Sequence, residues 1–203
     1  MGLLLAALAP AEPLDRIAVT IGNRVITEST LLLDLRVTAF LNQAPLDFGP
    51  AAKRAEAGRL VDQLLTQKEA DDSHLLLAGG ESSALLETLR VRYRSEQEYR
   101  VELQRYGITE ADLMAHLQAG ARAMAFTDLR FRQAAQISET ELRAYFDGLV
   151  ASSPLDAAPS FEASREQIEE LLRGQRALDA LDEWLKMARE SVRIEYKERV
   201  FDQ

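Results

Sequence analysis

Between residues 17 and 27 apolar side chains recur at every second position. Ile17, Val19 and Ile21 alternate with smaller or polar residues, Gly22-Asn23 is a two-residue turn signal, and Val25-Ile26 resumes the extended pattern. This predicts a small β-hairpin. From Thr27 the period lengthens to that of a helix. Thr27 is placed to cap TESTLLLDLRVTAFLNQ, with Leu31, Leu32, Leu35 and Phe40 on a broad apolar face. PLDFGP at 45–50 ends that helix, and Pro50 suits the first position of the next, where Leu60, Val61, Leu64 and Leu65 form a stripe. The run LLLAGG at 75–80 closes the section, because consecutive glycines stop regular structure.

Two further helices follow, over ESSALLETLRVRYRS and SEQEYRVELQRYG. Ser95 with Glu98 has the spacing of a capping box, and Gly107 suits a C-terminal cap. Thr109 with Asp112 opens a long helix predicted through Gln136, in which Leu113, Leu117, Met124 and Leu129 recur at helical intervals. Ser138 with Glu141 opens another, whose Tyr145 and Phe146 are expected in the core. The stretch LVASSPLDAAPSFEA then interrupts the pattern with small residues, Pro154 and Pro159. Beyond it lies the longest periodic segment, with Ile168, Leu171, Leu178, Leu181 and Leu185 on one face and Trp184 as a packing anchor against the first helix or the hairpin. Val192, Ile194 and Tyr196 alternate again, which predicts a terminal strand able to pair with the hairpin.

The expected fold is therefore mostly α, a multi-helix core with a small β-sheet made by the N-terminal hairpin and the C-terminal strand. Residues 1–16 read as a leader, 17–150 as an N-terminal helical region, 151–160 as a linker, and 161–203 as a long helix and strand completing the same domain.

Composition narrows the function. The 203 residues are 47% hydrophobic and 28% charged, an ordinary globular balance. A net charge of −9 argues against a nucleic-acid partner, which needs a basic face. Arg90, Arg92, Arg94, Arg130 and Arg132 have acidic neighbours and read as solvated helix faces. Without cysteine there is neither a disulfide framework nor a thiolate metal site. The opening MGLLLAALAPAEP carries a short apolar run and a small-x-small Ala9-Pro10-Ala11, the shape of the end of a secretory signal, with a plain leader as the other reading. No apolar run is long enough to span a bilayer, so stable membrane insertion is not expected.

The order of these phrases resembles the SurA-type periplasmic chaperones. IAVTIGNRVITESTLLLDL is similar to that family's N-terminal hairpin and first helix, RLVDQLLTQKEA to its second helix, and YRVELQRYGITEADLMAHLQ to the helix and Gly-Ile/Leu-Thr stretch that follow. ISETELRAYFDGLV resembles the segment leading into a parvulin-type prolyl isomerase domain, and FEASREQIEELLRGQRALDALDEWLKMARESVRIEY the helix and strand after it. The resemblance covers residues 17–197. It departs at 151–160, ten residues where active relatives carry the whole parvulin domain. Neither His74 nor His116 lies in a parvulin-like Gly-Gly-x-Leu-Gly context. The resemblance thus implies a periplasmic, ATP-independent chaperone without isomerase activity.

No other chemistry is visible. His74 beside Asp71 and Asp72 hints at a metal cluster but reads better as solvated polarity, and His116 as a surface or satisfied core residue. Ser82-Ser83 makes no nucleophile elbow, and no phosphate loop occurs. No cofactor and no metal are expected, and the chain is not expected to be an enzyme. The partners implied are unfolded polypeptide clients. Met114, Leu117, Met124, Phe126, Leu129 and Phe131 crowd one helix with more apolar residues than a single stripe needs, with Leu89 and Tyr93 as further candidates. In a chaperone such residues line an adaptable cradle; otherwise they are core. The competing reading is an assembly module whose apolar surface is occupied by a dedicated partner or a second copy, as a homodimer, with 151–160 as a hinge.

Overall fold

The computed structural model describes residues 15–73, 81–152 and 160–202. Strand β1 (Ile17–Ile21) pairs antiparallel with β2 (Arg24–Thr27) on one side and with β3 (Ile194–Tyr196) on the other. The two ends of the described chain therefore meet in one three-stranded sheet, as the alternation at 17–27 and 192–196 predicts. Gly22 turns the hairpin at φ +56°, a left-handed conformation that suits glycine. One detail departs from strict alternation. Ile17 pairs with Thr27 but Val19 pairs with Ile26, so a bulge falls at Ala18. Ala18 and Val19 both become fully buried, and Ile17 is left 43% exposed.

Seven α-helices lie among the described residues: α1 (Glu28–Leu41), α2 (Pro50–Asp72), α3 (Glu81–Arg90), α4 (Glu96–Tyr106), α5 (Glu110–Thr127), α6 (Glu139–Ser152) and α7 (Phe161–Glu190). Their starts follow the capping signals. Thr27 Oγ1 accepts the Thr30 N–H, and Pro50 occupies the first turn of α2 after Gly49. Thr109 and Asp112 bond reciprocally, as do Ser138 and Glu141. At Ser95 the box is shifted: its hydroxyl accepts the Glu98 N–H, but Glu98 reaches back to the N–H of Arg94. Gly107 ends α4 at φ +66°. Replacing Thr109 by alanine removes the hydroxyl that accepts the Asp112 N–H and should cost about 1 kcal/mol, read as a lowered urea midpoint at unchanged slope.

The helix predicted over 109–136 is not one helix. It is α5 to Thr127, then a π-helical turn over Asp128–Arg132 closed by the Gln133 N–H on the Asp128 carbonyl. The predicted face of α7 also divides. Ile168 is buried, and Trp184 and Leu185 pack against the core, but Leu171 and Leu178 are exposed. Tyr145 and Phe146 are only half-buried as α6 packs along α7, where Phe146 meets Phe161.

Two apolar cores result. The first joins the sheet, the start of α1, α2 and the C-terminal Val200 and Phe201, with Trp184, Leu185 and Val192 against it. Lys53, itself buried, donates to the Val200 carbonyl at 3.2 Å and pins that end. The second joins the end of α1 to α3, α4 and the start of α5 around Phe40, Tyr99, Tyr106 and Leu113. Helix α1 contributes to both, Leu31 to the first and Val37 and Phe40 to the second, and α5 joins the second through Leu113.

Candidate functional site

The π turn decides how the apolar residues of α5 are displayed. Residues five apart on an α-helix point about 140° away from each other. A π turn bonds each residue to the one five before it and brings such a pair to the same side. Phe126 and Phe131 are such a pair. Their rings meet edge to face at 5.8 Å, and Trp184 of α7 lies 5.3 Å from Phe126 and 6.5 Å from Phe131. The Arg130 guanidinium lies 5.9, 5.8 and 6.0 Å from the Phe126, Phe131 and Trp184 rings and pairs with Glu69 of α2 at 3.0 Å. Thr127 donates to the Ala123 carbonyl at 2.8 Å, a back-bond that accompanies the change of helix type. The three-ring junction thus ties α2, α5 and α7 together.

Two large apolar side chains from the same segment are left in solvent. Met124 is 69% exposed and Leu129 45%. The eight residues singled out from the sequence therefore fall into three groups. Leu89 is buried in the second core, with Tyr93, Met114 and Leu117 packed against that core and Tyr93 stacked on Phe40 at 6.2 Å. Phe126 is fully buried and Phe131 partly so in the aromatic junction. Of the eight, only Met124 and Leu129 are exposed. Trp184 and Arg130 belong to the same assembly and were not among the eight. Their distance in sequence from Phe126, or the reading of arginine as solvated charge, hides them.

Arg90, Arg130 and Arg132 are tied to partners within the fold. Arg90 meets Glu110 through Nε and Nη2 at 3.1 and 2.5 Å, and Arg132 pairs with Asp128 and Glu170. A surface cleft of about 580 Å³ beside Arg132, Gln136 and Arg173 is lined by charge already paired, Arg173 with Glu169 at 2.6 Å.

A second polar feature lies inside the fold. His116 Nδ1 is 2.8 Å from Asp34 Oδ1, Asp34 also contacts Arg59, and Arg59 reaches Glu56 at 2.6 Å. Burial pushes the Glu56 carboxyl up to about 7. Burial, with the Arg59 guanidinium adding to it, pushes the His116 imidazole down to about 4. Among the described residues no group of three or more histidine and carboxylate side chains is arranged to hold a metal ion, and no helix is long and apolar enough to cross a membrane. His74 and the bulk of the 151–160 segment lie outside the described residues.

Compared with protein-family models and with curated proteins, the chain matches none.

Proposed function

We propose that this protein is an ATP-independent holdase that masks extended apolar segments of unfolded exported polypeptides, acting in the periplasm, with no prolyl isomerase step. The observation that carries this reading is the exposure of Met124 and Leu129, large apolar side chains left in solvent on the segment that also carries the aromatic junction. Such a surface adapts to varied sequences, because methionine has several rotatable bonds and a polarisable sulfur. The net charge of −9 keeps complexes with aggregation-prone clients apart. The resemblance of residues 17–197 to SurA-type chaperones supplies the client class.

Light scattering from a denatured outer-membrane protein, diluted with and without a stoichiometric amount of this chain, tests the reading. Suppressed aggregation without ATP is expected. A Met124→Glu, Leu129→Glu double variant, altered only at exposed sites, should weaken suppression about tenfold, since even partial burial of two such side chains contributes more than 1.4 kcal/mol. No suppression across several clients would overturn the proposal. The second reading, an assembly module, draws on the exposed Leu149, Val150, Leu171 and Leu178 of α6 and α7. It requires a dimer that persists on dilution.

A further inference from the structure

Two leucines of α7 lie uncovered on one side of the helix. Leu171 is 41% exposed and Leu178 58%. A spacing of seven is close to two helical turns, so the two stand about 10 Å apart on one line. The exposed Gln175 lies between them and Asp182 a turn beyond. The buried residues of the same helix, Ile168 and Ala177, fall to either side of that line. This is the seam of a helix that pairs with another helix, and among the described residues nothing covers it.

The charges around the seam decide what can cover it. Asp179 and Asp182 are exposed and form no ion pair among the described residues. Every cation of α7 is engaged already: Arg165 with Glu139, Arg173 with Glu169, Arg176 with Glu141, Lys186 with Glu183 and Arg189 with Asp62. Lys186 also lies in the field of Asp182, but it closes on Glu183 at 2.5 Å. Against that single ammonium stand the carboxylates of Asp179, Asp182 and Glu183, which leaves two negative charges over. A second copy would answer them with its own. Parallel α7 helices set Asp179 against Asp179 and Asp182 against Asp182. Antiparallel ones, matching Leu171 to Leu178, bring Asp179 level with Glu170 and Glu183 level with Glu166.

We propose that this face of α7 docks an amphipathic helix of another protein, one whose leucine-like side chains recur at three- and four-residue intervals and are flanked by lysine or arginine. The apolar side chains of that helix cover Leu171 and Leu178, and its cations pair with Asp179 and Asp182. The proposal goes beyond the holdase reading. It concerns a helical partner rather than an unfolded client, and a different helix from the one that carries Met124. A seam of two leucines suits a contact that forms and releases rather than a permanent assembly.

Fluorescence anisotropy of the full chain with a labelled helical peptide of about 20 residues, leucines at those intervals and lysines flanking them, tests the surface. The lysine peptide should bind, and a twin with glutamate at the flanking positions should bind about tenfold more weakly. A Leu171→Asn, Leu178→Asn variant, altered only at exposed positions, should weaken the lysine peptide about tenfold. Asp179→Asn with Asp182→Asn should weaken it about fivefold and flatten its dependence on salt. Equal binding of the two peptides, or an affinity unchanged in both double variants, overturns the proposal. So does a wild-type dimer that dissociates in the leucine variant, since the occupant is then a second copy. Aggregation suppression by the leucine variant should match the wild type; its loss would assign the face to unfolded clients instead. The comparison of the two peptides uses the wild type alone and decides even where a variant is destabilised.

Discussion

Replacing Phe126 by alanine should lower the free energy of unfolding by about 3–5 kcal/mol, the largest loss expected from any single truncation in the aromatic junction. The ring is fully buried and touches both Phe131 and Trp184. Its removal leaves a cavity bounded by those two rings, and the Arg130 guanidinium loses one of the three faces it lies over. The neighbours cannot close the gap easily, because Phe131 is held by the π turn and Trp184 by α7. Leu129→Ala, two residues before Phe131 and 45% exposed, should cost under about 1 kcal/mol. Urea unfolding followed by tryptophan fluorescence measures both, since Trp184 is the only tryptophan. Equal small losses at the two positions would mean that the junction is not a packed core.

What the sequence makes legible here is local. The hairpin follows from a period of two with Gly22-Asn23 at its turn, and the helix starts follow from side chains bonding amides three residues on. The pairing of β3 with β1 follows from a second period-two run at the far end of the chain. The bulge at Ala18 escapes, because a small residue beside Val19 leaves the apparent alternation intact while shifting its phase. The π turn escapes for a different reason. Nothing in TDLRF distinguishes it from α-helix, and what favours it is the meeting of Phe126 and Phe131 with Trp184 on a helix distant in sequence. The same limit divides the candidate surface. Met124 and Phe126 are equally apolar in sequence, yet one is mostly exposed and the other fully buried. Which side of α5 faces α2 and α7 is decided by packing between helices, which no spacing within α5 records. His116 and Asp34 stand 82 residues apart, so their contact belongs to the fold alone.

Arg59→Ala should cost about 3 kcal/mol at pH 7.5 and visibly less in acid. The guanidinium is the cation that Asp34 and Glu56 share, and those two carboxylates are 14% and 7% exposed as side chains. Removing one partner of a buried charge cluster leaves the others desolvated and uncompensated, which costs about 3–5 kcal/mol. Arg59 is itself partly exposed, so water entering the vacated space recovers some of that, and the lower end of the range applies. The remaining loss is pH-dependent with a definite sign. Without Arg59 a proton on Glu56 relieves one carboxylate, and His116, freed of the nearby cation and still beside Asp34, can take up a second. Both protons bind more readily to the folded variant than to the folded wild type, so acidification restores stability. Urea midpoints at pH 7.5 and 5 measure the recovery. A deficit that stays constant or deepens in acid would show that Arg59 stabilises the junction by packing its aliphatic stem between α1 and α2 rather than by neutralising Asp34 and Glu56.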